Sequence, residues 1–128
     1  MASSRRFSVG IFMLGTLVLS ACGSGMSAPA SGTCRGGGEP TATTSVTVVD
    51  FAFDPACITI APGATVTWTN TGMPVHTVTS DPGAPVTFDS GSLGTSGIFT
   101  QTFANAGTVN YHCTVHQSLG MVGTIIVK

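Results

Sequence analysis

Beyond residue 44 the chain is written in short alternating steps of apolar and polar residues, broken repeatedly by turn formers. In Thr65-Val66-Thr67-Trp68-Thr69 the valine and tryptophan share one face and the threonines the other, as in an antiparallel strand buried on one side. The same two-residue period, or a short apolar run, predicts strands near Val46–Val49, Ile58–Ile60, Thr65–Asn70, His76–Thr79, Gly97–Phe103, Thr108–Cys113 and Gly123–Val127. Between them stand Asp54-Pro55, Ala61-Pro62-Gly63, Asn70-Thr71-Gly72, Asp81-Pro82-Gly83 and Asn105-Ala106-Gly107, all combinations that favour tight turns. No stretch carries a helical period of convincing length, and no repeat divides the chain. The pattern predicts an all-β fold, one β-sandwich of about seven to eight strands, over residues 45–128.

The beginning of the chain follows a different rule. Arg5 and Arg6 precede an apolar run from Val9 to Leu19, shorter than the roughly 20 residues a spanning helix needs, and small residues follow. Residues 1–21 therefore read as an export signal. The end of that signal, Leu19-Ser20-Ala21-Cys22, resembles the lipobox of bacterial lipoproteins, which implies cleavage before Cys22 and lipid attachment to it. An ordinary secretory signal with a cysteine near its end is the alternative. Both place the protein outside the cytoplasm, and the first makes it a membrane-anchored lipoprotein facing the periplasm or the cell exterior. Residues 22–44, rich in Gly, Ser, Ala, Pro and Thr, predict a flexible tether that holds the domain away from the bilayer. A disordered leader without a role is the other reading of the same composition.

Charge narrows the partners. Only 7% of the 128 residues are charged, against roughly 25% in a typical soluble protein, so threonine, serine and glycine must cover the surface. Arg5, Arg6, Arg35 and Lys128 are the only basic residues, too few and too scattered to neutralise a run of phosphates, which excludes nucleic acid as a partner. They form no polybasic membrane anchor either. Loss of the two signal arginines leaves a formal charge of −3, from acidic residues scattered in sequence.

The candidate chemistry lies near the end of the chain. Tyr111-His112-Cys113-Thr114-Val115-His116-Gln117-Ser118-Leu119-Gly120-Met121 sets a thiol, an imidazole and a thioether at spacing C-x-x-H-x-x-x-x-M, and His76 lies far upstream. A soft thiolate, two nitrogens and a weak thioether suit a metal that alternates between Cu(I) and Cu(II), whereas a hard cation needs oxygen ligands. Zinc has no use for the methionine. Taken singly, Cys113 and Met121 are also ordinary core residues and His116 an ordinary surface one. With Cys22 assigned to lipid and Cys113 to metal, Cys34 and Cys57 remain, and an exported pair is expected to form a disulfide that ties the tether to the domain. Two separate structural cysteines are the alternative, since sequence alone fixes no connectivity.

These residues carry a family resemblance. Gly107 to Gly123, with Phe53-Asp54-Pro55, Pro62-Gly63, Val66 to Asn70 and His76-Thr77-Val78, resembles the cupredoxin family, with the ligand-loop spacing of its plastocyanin branch and a Met73-Pro74 like that of amicyanin. The resemblance implies a Greek-key β-sandwich holding one type 1 copper ion, with ligands at His76, Cys113, His116 and Met121. It further implies that His116 exposes a ring edge through an apolar docking patch, here Met73, Pro74, Val115 and Leu119. For Met73-Pro74 a plain turn before His76 is the other reading. Three positions depart from or keep the family pattern: Thr77 stands where asparagine usually links the ligand loops, Val115 replaces a proline, and Thr114 keeps its hydroxyl. His112 is not a ligand by this reading: alternation turns it and Asn110 away from the face of Val109, Tyr111 and Cys113, which predicts a solvated surface histidine. The resemblance, with a surface tyrosine beside an electron-entry region at the matching plastocyanin position, implies a second docking site as the alternative.

Two functions follow. The first is a lipid-tethered one-electron carrier, a monomer that docks transiently with redox proteins of cytochrome or copper-oxidase type. The second is storage or delivery of copper outside the cytoplasm, a role that usually displays Met- or His-rich tracts, which this sequence lacks. No carboxylate dyad or Ser-His-Asp set suggests an enzyme, and a filled copper site has no open position for substrate.

Overall fold

The computed structural model describes residues 32–128. The export signal, the Cys22 lipidation site and the tether up to residue 31 lie outside the described residues. Among the described residues nine strands pack as two mixed sheets. The first sheet joins β1 (Thr41–Ala42), β4 (Cys57–Ile60), β9 (Val122–Val127), β8 (Gly107–His112) and β6 (Thr79–Ser80), in that spatial order. The second joins β3 (Ala52–Asp54), β2 (Ser45–Val49), β5 (Ala64–Asn70) and β7 (Ile98–Phe103). Within the sheets β2 runs parallel to β5 and β4 parallel to β9, while β7, β8, β3 and β6 pair antiparallel with their neighbours.

The alternation seen in sequence is the origin of the core. β5 turns Val66, Trp68 and Asn70 inward, and β2 turns in Val46 and Val48, all with zero exposure. Opposite them stand Ile58, Val109, Tyr111 and Ile125 from the other sheet. Trp68 sits at the centre, its ring 5.5 Å from that of Tyr111, which itself lies 4.8 Å from Phe53. Aromatic side chains of this size bury the most apolar area per residue, which suits so small a sandwich. Register fixes one glycine: Tyr111 lies opposite Gly123, and a Cβ there would come within 2.2 Å of the tyrosine ring.

Three differences from the sequence expectation have physical causes. The stretch His76–Thr79 is not a continuous strand: only an isolated bridge at His76 precedes β6, because the Thr77 and Val78 N–H groups donate to Cys113 Sγ and Ser90 Oγ instead of to a ladder. The expected seven to eight strands become nine through β1 and β3, both too short to show a period. Residues 32–44, assigned by composition to the tether, are fastened to the domain at several points and exposed between them, over 36–39. The Cys34–Cys57 disulfide fastens the segment, as the sequence predicts, and in addition β1 pairs in parallel with β4. The Arg35 N–H donates to Thr124 Oγ1, and Gly32 approaches Thr108 and Ile126 too closely for any side chain. This cover explains why β9 is buried on both faces along most of its length.

Candidate metal centre

Two connections at one end of the sandwich bring His76, Cys113, His116 and Met121 together from distant positions. The first leads out of β5. Asn70, fully buried, donates from its side-chain amide to the carbonyls of Pro74 and Leu93 and accepts from the Gly72 N–H, so one side chain shapes the loop that delivers His76. His76 then exchanges both backbone hydrogen bonds with Leu93. The second connection leaves β8 at Cys113. Its N–H donates to the Met121 carbonyl at 3.1 Å, closing the loop, while a 3-10 turn at Gln117–Leu119 folds the residues between. Gly120 ends that turn at φ 82°, a conformation glycine takes without steric cost, and returns the chain to Met121.

The donor atoms converge. His76 Nδ1 and His116 Nδ1 are 3.1 Å apart, and Cys113 Sγ lies 3.8 Å from the first and 3.6 Å from the second. At that distance the two nitrogens can share one proton in an N–H···N hydrogen bond, or both can turn lone pairs toward a cation seated between them and the sulfur. Metal–nitrogen bonds of about 2.0–2.1 Å and metal–sulfur bonds of about 2.3 Å span these separations from one point. His76, Cys113 and Met121 have no solvent exposure, and His116 alone is partly exposed. Burial, reinforced by the neighbouring His116 and opposed by Asp50, holds His76 below the usual imidazole value, which keeps it neutral and free to bind a metal. The Thr77 N–H points at Cys113 Sγ at 3.4 Å, a donor that stabilises a thiolate.

The two ligand-bearing connections are stitched by threonines. Thr77 Oγ1 accepts from the Thr114 N–H at 2.9 Å, and the two hydroxyls lie 3.1 Å apart. Threonine at position 77 thus makes the link that the resemblance assigns to asparagine. Of the expected docking patch, Met73, Val115 and Leu119 are exposed and Pro74 is half-buried. Phe51 and Val75, which sequence reasoning missed, extend the same apolar surface. No periodicity could have singled out Phe51, because its meeting with His116 depends on how the β2–β3 turn folds over.

His112 requires a correction. It does face away from Tyr111, as alternation predicts, but it is not a solvated surface residue: its exposure is 8%. Its Nδ1 lies 2.7 Å from Asp81 Oδ1, and the other oxygen of that carboxylate takes the Arg35 guanidinium. The residues that cover it come from the disulfide-held segment and the β6–β8 side, neither visible from the local pattern around 112.

A mixed-sheet sandwich carrying a buried His-Cys-His cluster defines a protein built to hold one soft metal ion. The chain belongs to the family of copper binding proteins, the plastocyanin/azurin family, whose profile matches residues 40–128. Halocyanin of Natronomonas pharaonis is 44% identical over 80 residues, 61% of this chain and 49% of that protein. Chloroplastic plastocyanin of Tetradesmus obliquus is 36% identical over 86 residues, 61% of this chain and 59% of that protein. The chain thus spans about half the length of these relatives. Among solved structures, a fern plastocyanin mutant superposes with a TM-score of 0.59 at 30% identity, over 66% of this chain and 99% of that one. A purple cupredoxin from Nitrosopumilus maritimus gives 0.59 at 27% identity, over 66% and 98%. A reduced amicyanin carrying a tryptophan-to-tyrosine substitution gives 0.60 at 26%, over 66% and 80%.

Proposed function

We propose that this protein is a one-electron carrier that holds a single copper ion through His76, Cys113, His116 and Met121 and works outside the cytoplasm, tethered to a membrane by lipid on Cys22. Copper bound there supplies reversible one-electron chemistry between Cu(II) and Cu(I). The reading rests on one observation above all: the donor cluster is buried except at His116, and the surface around that ring is apolar.

Each part of the chain has a task in this scheme. The two sheets and the Thr77–Thr114 link fix the ligand side chains, so little has to move when the charge of the site changes by one. The Thr77 N–H stabilises the Cys113 thiolate. His116 offers the shortest path to the surface, and segments 71–75 and 114–120 contain no charged residue that must be desolvated on docking. Redox encounters of this kind need only small, weak interfaces. Relatives named plastocyanin and halocyanin support the same use.

The test has two arms. Stopped-flow mixing of the reduced copper protein with an oxidised c-type cytochrome should show rapid electron transfer, and a Cu(I) chelator present throughout should remove little metal. Slow transfer with ready loss of copper to the chelator would instead identify a storage or delivery protein. For the tether, Cys22→Ser should move the protein from the membrane to the soluble fraction, and an unchanged membrane association would contradict lipid attachment at Cys22.

A further inference from the structure

Phe51 stands out on two independent grounds. It occupies the second position of the two-residue turn between β2 and β3, with φ 63°, where tight turns place glycine or asparagine. It also leaves 47% of its surface in water. Turn geometry and solubility both disfavour phenylalanine here. Backbone strain that persists against the local preference points to a function for the side chain.

The side chain meets His116. The two ring centroids are 5.0 Å apart with planes at 87°, an edge-to-face contact, and the His76 ring lies 4.9 Å from His116. His116 is therefore in contact with two rings. The turn that carries Phe51 is itself fastened, since Asp50 Oδ1 accepts from the Met73 N–H at 3.1 Å, on the loop that leads to His76. Gly72 lets Asp50 come this close, because a Cβ at Gly72 would meet the carboxylate at 2.5 Å.

We infer that Phe51 is a positioning residue for electron transfer: its ring, held out by a strained turn, fixes the imidazole of His116, the one donor residue whose other side is open to solvent. This inference rests on the proposed copper-carrier reading. A ring free to tilt would add a rearrangement to every change of charge at the site, and misplacement of a reacting group by about 1 Å costs as much as 100-fold in rate. Fixing His116 keeps that rearrangement small.

The experiment compares wild type with Phe51→Ala, Phe51→Gly and Phe51→Tyr. Electron self-exchange between reduced and oxidised copies of the copper-loaded protein, read from NMR line widths, should fall about 10-fold or more in the Ala and Gly variants and be restored in Tyr. Unfolding of the metal-free proteins in urea should rank them differently. Gly, relieved of strain at positive φ, should have an unfolding constant about 5-fold smaller than Ala, although both lose the contact with His116. Wild-type self-exchange in Phe51→Ala, with the visible thiolate band intact, would overturn the inference and leave the carrier reading standing. Absence of that band in the wild type would bring down the carrier reading itself.

Discussion

His112 and His116 lie on either side of Cys113, yet the fold treats them in opposite ways. His112 is covered, hydrogen-bonded to Asp81, which is ion-paired with Arg35, and overlaid by a segment that the Cys34–Cys57 disulfide holds in place. His116 turns Nδ1 toward Cys113 and His76, meets Phe51 edge to face and stays partly exposed, in a segment 114–120 that holds the exposed Val115 and Leu119 and no charged residue. The contrast teaches that histidine chemistry is decided by surroundings gathered from elsewhere in the chain. One flank of the Cys113 strand is closed by cohesive contacts, and the end beyond it is left apolar and partly open to solvent.

The strongest way to break the contrast is at Cys113 itself. Cys113→Ser removes the thiolate and should abolish the intense visible thiolate-to-copper band of the loaded protein, whereas Met121→Leu should keep the colour and shift the potential. A coloured Cys113→Ser protein would refute the ligand assignment.

Next comes the covered flank. Replacing Cys34 and Cys57 together by serine opens a closure of 23 residues and should cost about 3 kcal/mol in urea unfolding, on the chain-entropy model. The copper spectrum should stay unchanged, because the disulfide fastens the His112 flank and not the ligand loop. At the apolar end, Leu119→Glu should slow electron self-exchange about tenfold at low salt, with recovery as salt screens the repulsion between two copies. A rate that ignores both the substitution and the salt would remove that surface from the path of electrons.

The smallest expected effect belongs to the ion pair. Burial alone would raise the Asp81 carboxyl, but hydrogen bonds from His112 and Arg35 outweigh it and hold the group below the ordinary value of 3.8. The native state therefore binds the proton less readily than the unfolded chain. The resulting stability is present above the unfolded value and disappears as pH falls through the lower, folded one. Asp81→Asn should cost at most about 1 kcal/mol near neutral pH, with the gap to wild type closing in acid. A gap that widens in acid would mean that the carboxylate is not the stabilising form.

The sequence carried the site better than its surroundings. His76, Cys113, His116 and Met121 could be picked out because a soft donor set at fixed spacing has few other uses, and β5 because Val66 and Trp68 alternate with threonine. What escaped depends on approach in space. The cover over His112 comes from Arg35 and Asp81, and although the Cys34–Cys57 disulfide is expected from the sequence, low-complexity composition gave no sign that Gly32 and Arg35 would lie against β9. Phe51 reads as one more apolar residue until the β2–β3 turn sets its ring on His116. Asn70 reads as a turn former, and only the fold shows that it is buried and shapes the His76 loop. Periodicity reports which face a residue takes, whereas what meets that face is settled by packing.

The most direct test of the central claim is to load the protein with Cu(II) and follow its visible absorption and electron paramagnetic resonance through reduction by ascorbate and reoxidation. The account predicts a strong thiolate-to-copper band that bleaches on reduction and returns on oxidation with the metal retained. A colourless protein, or copper released when the site is reduced, would contradict it.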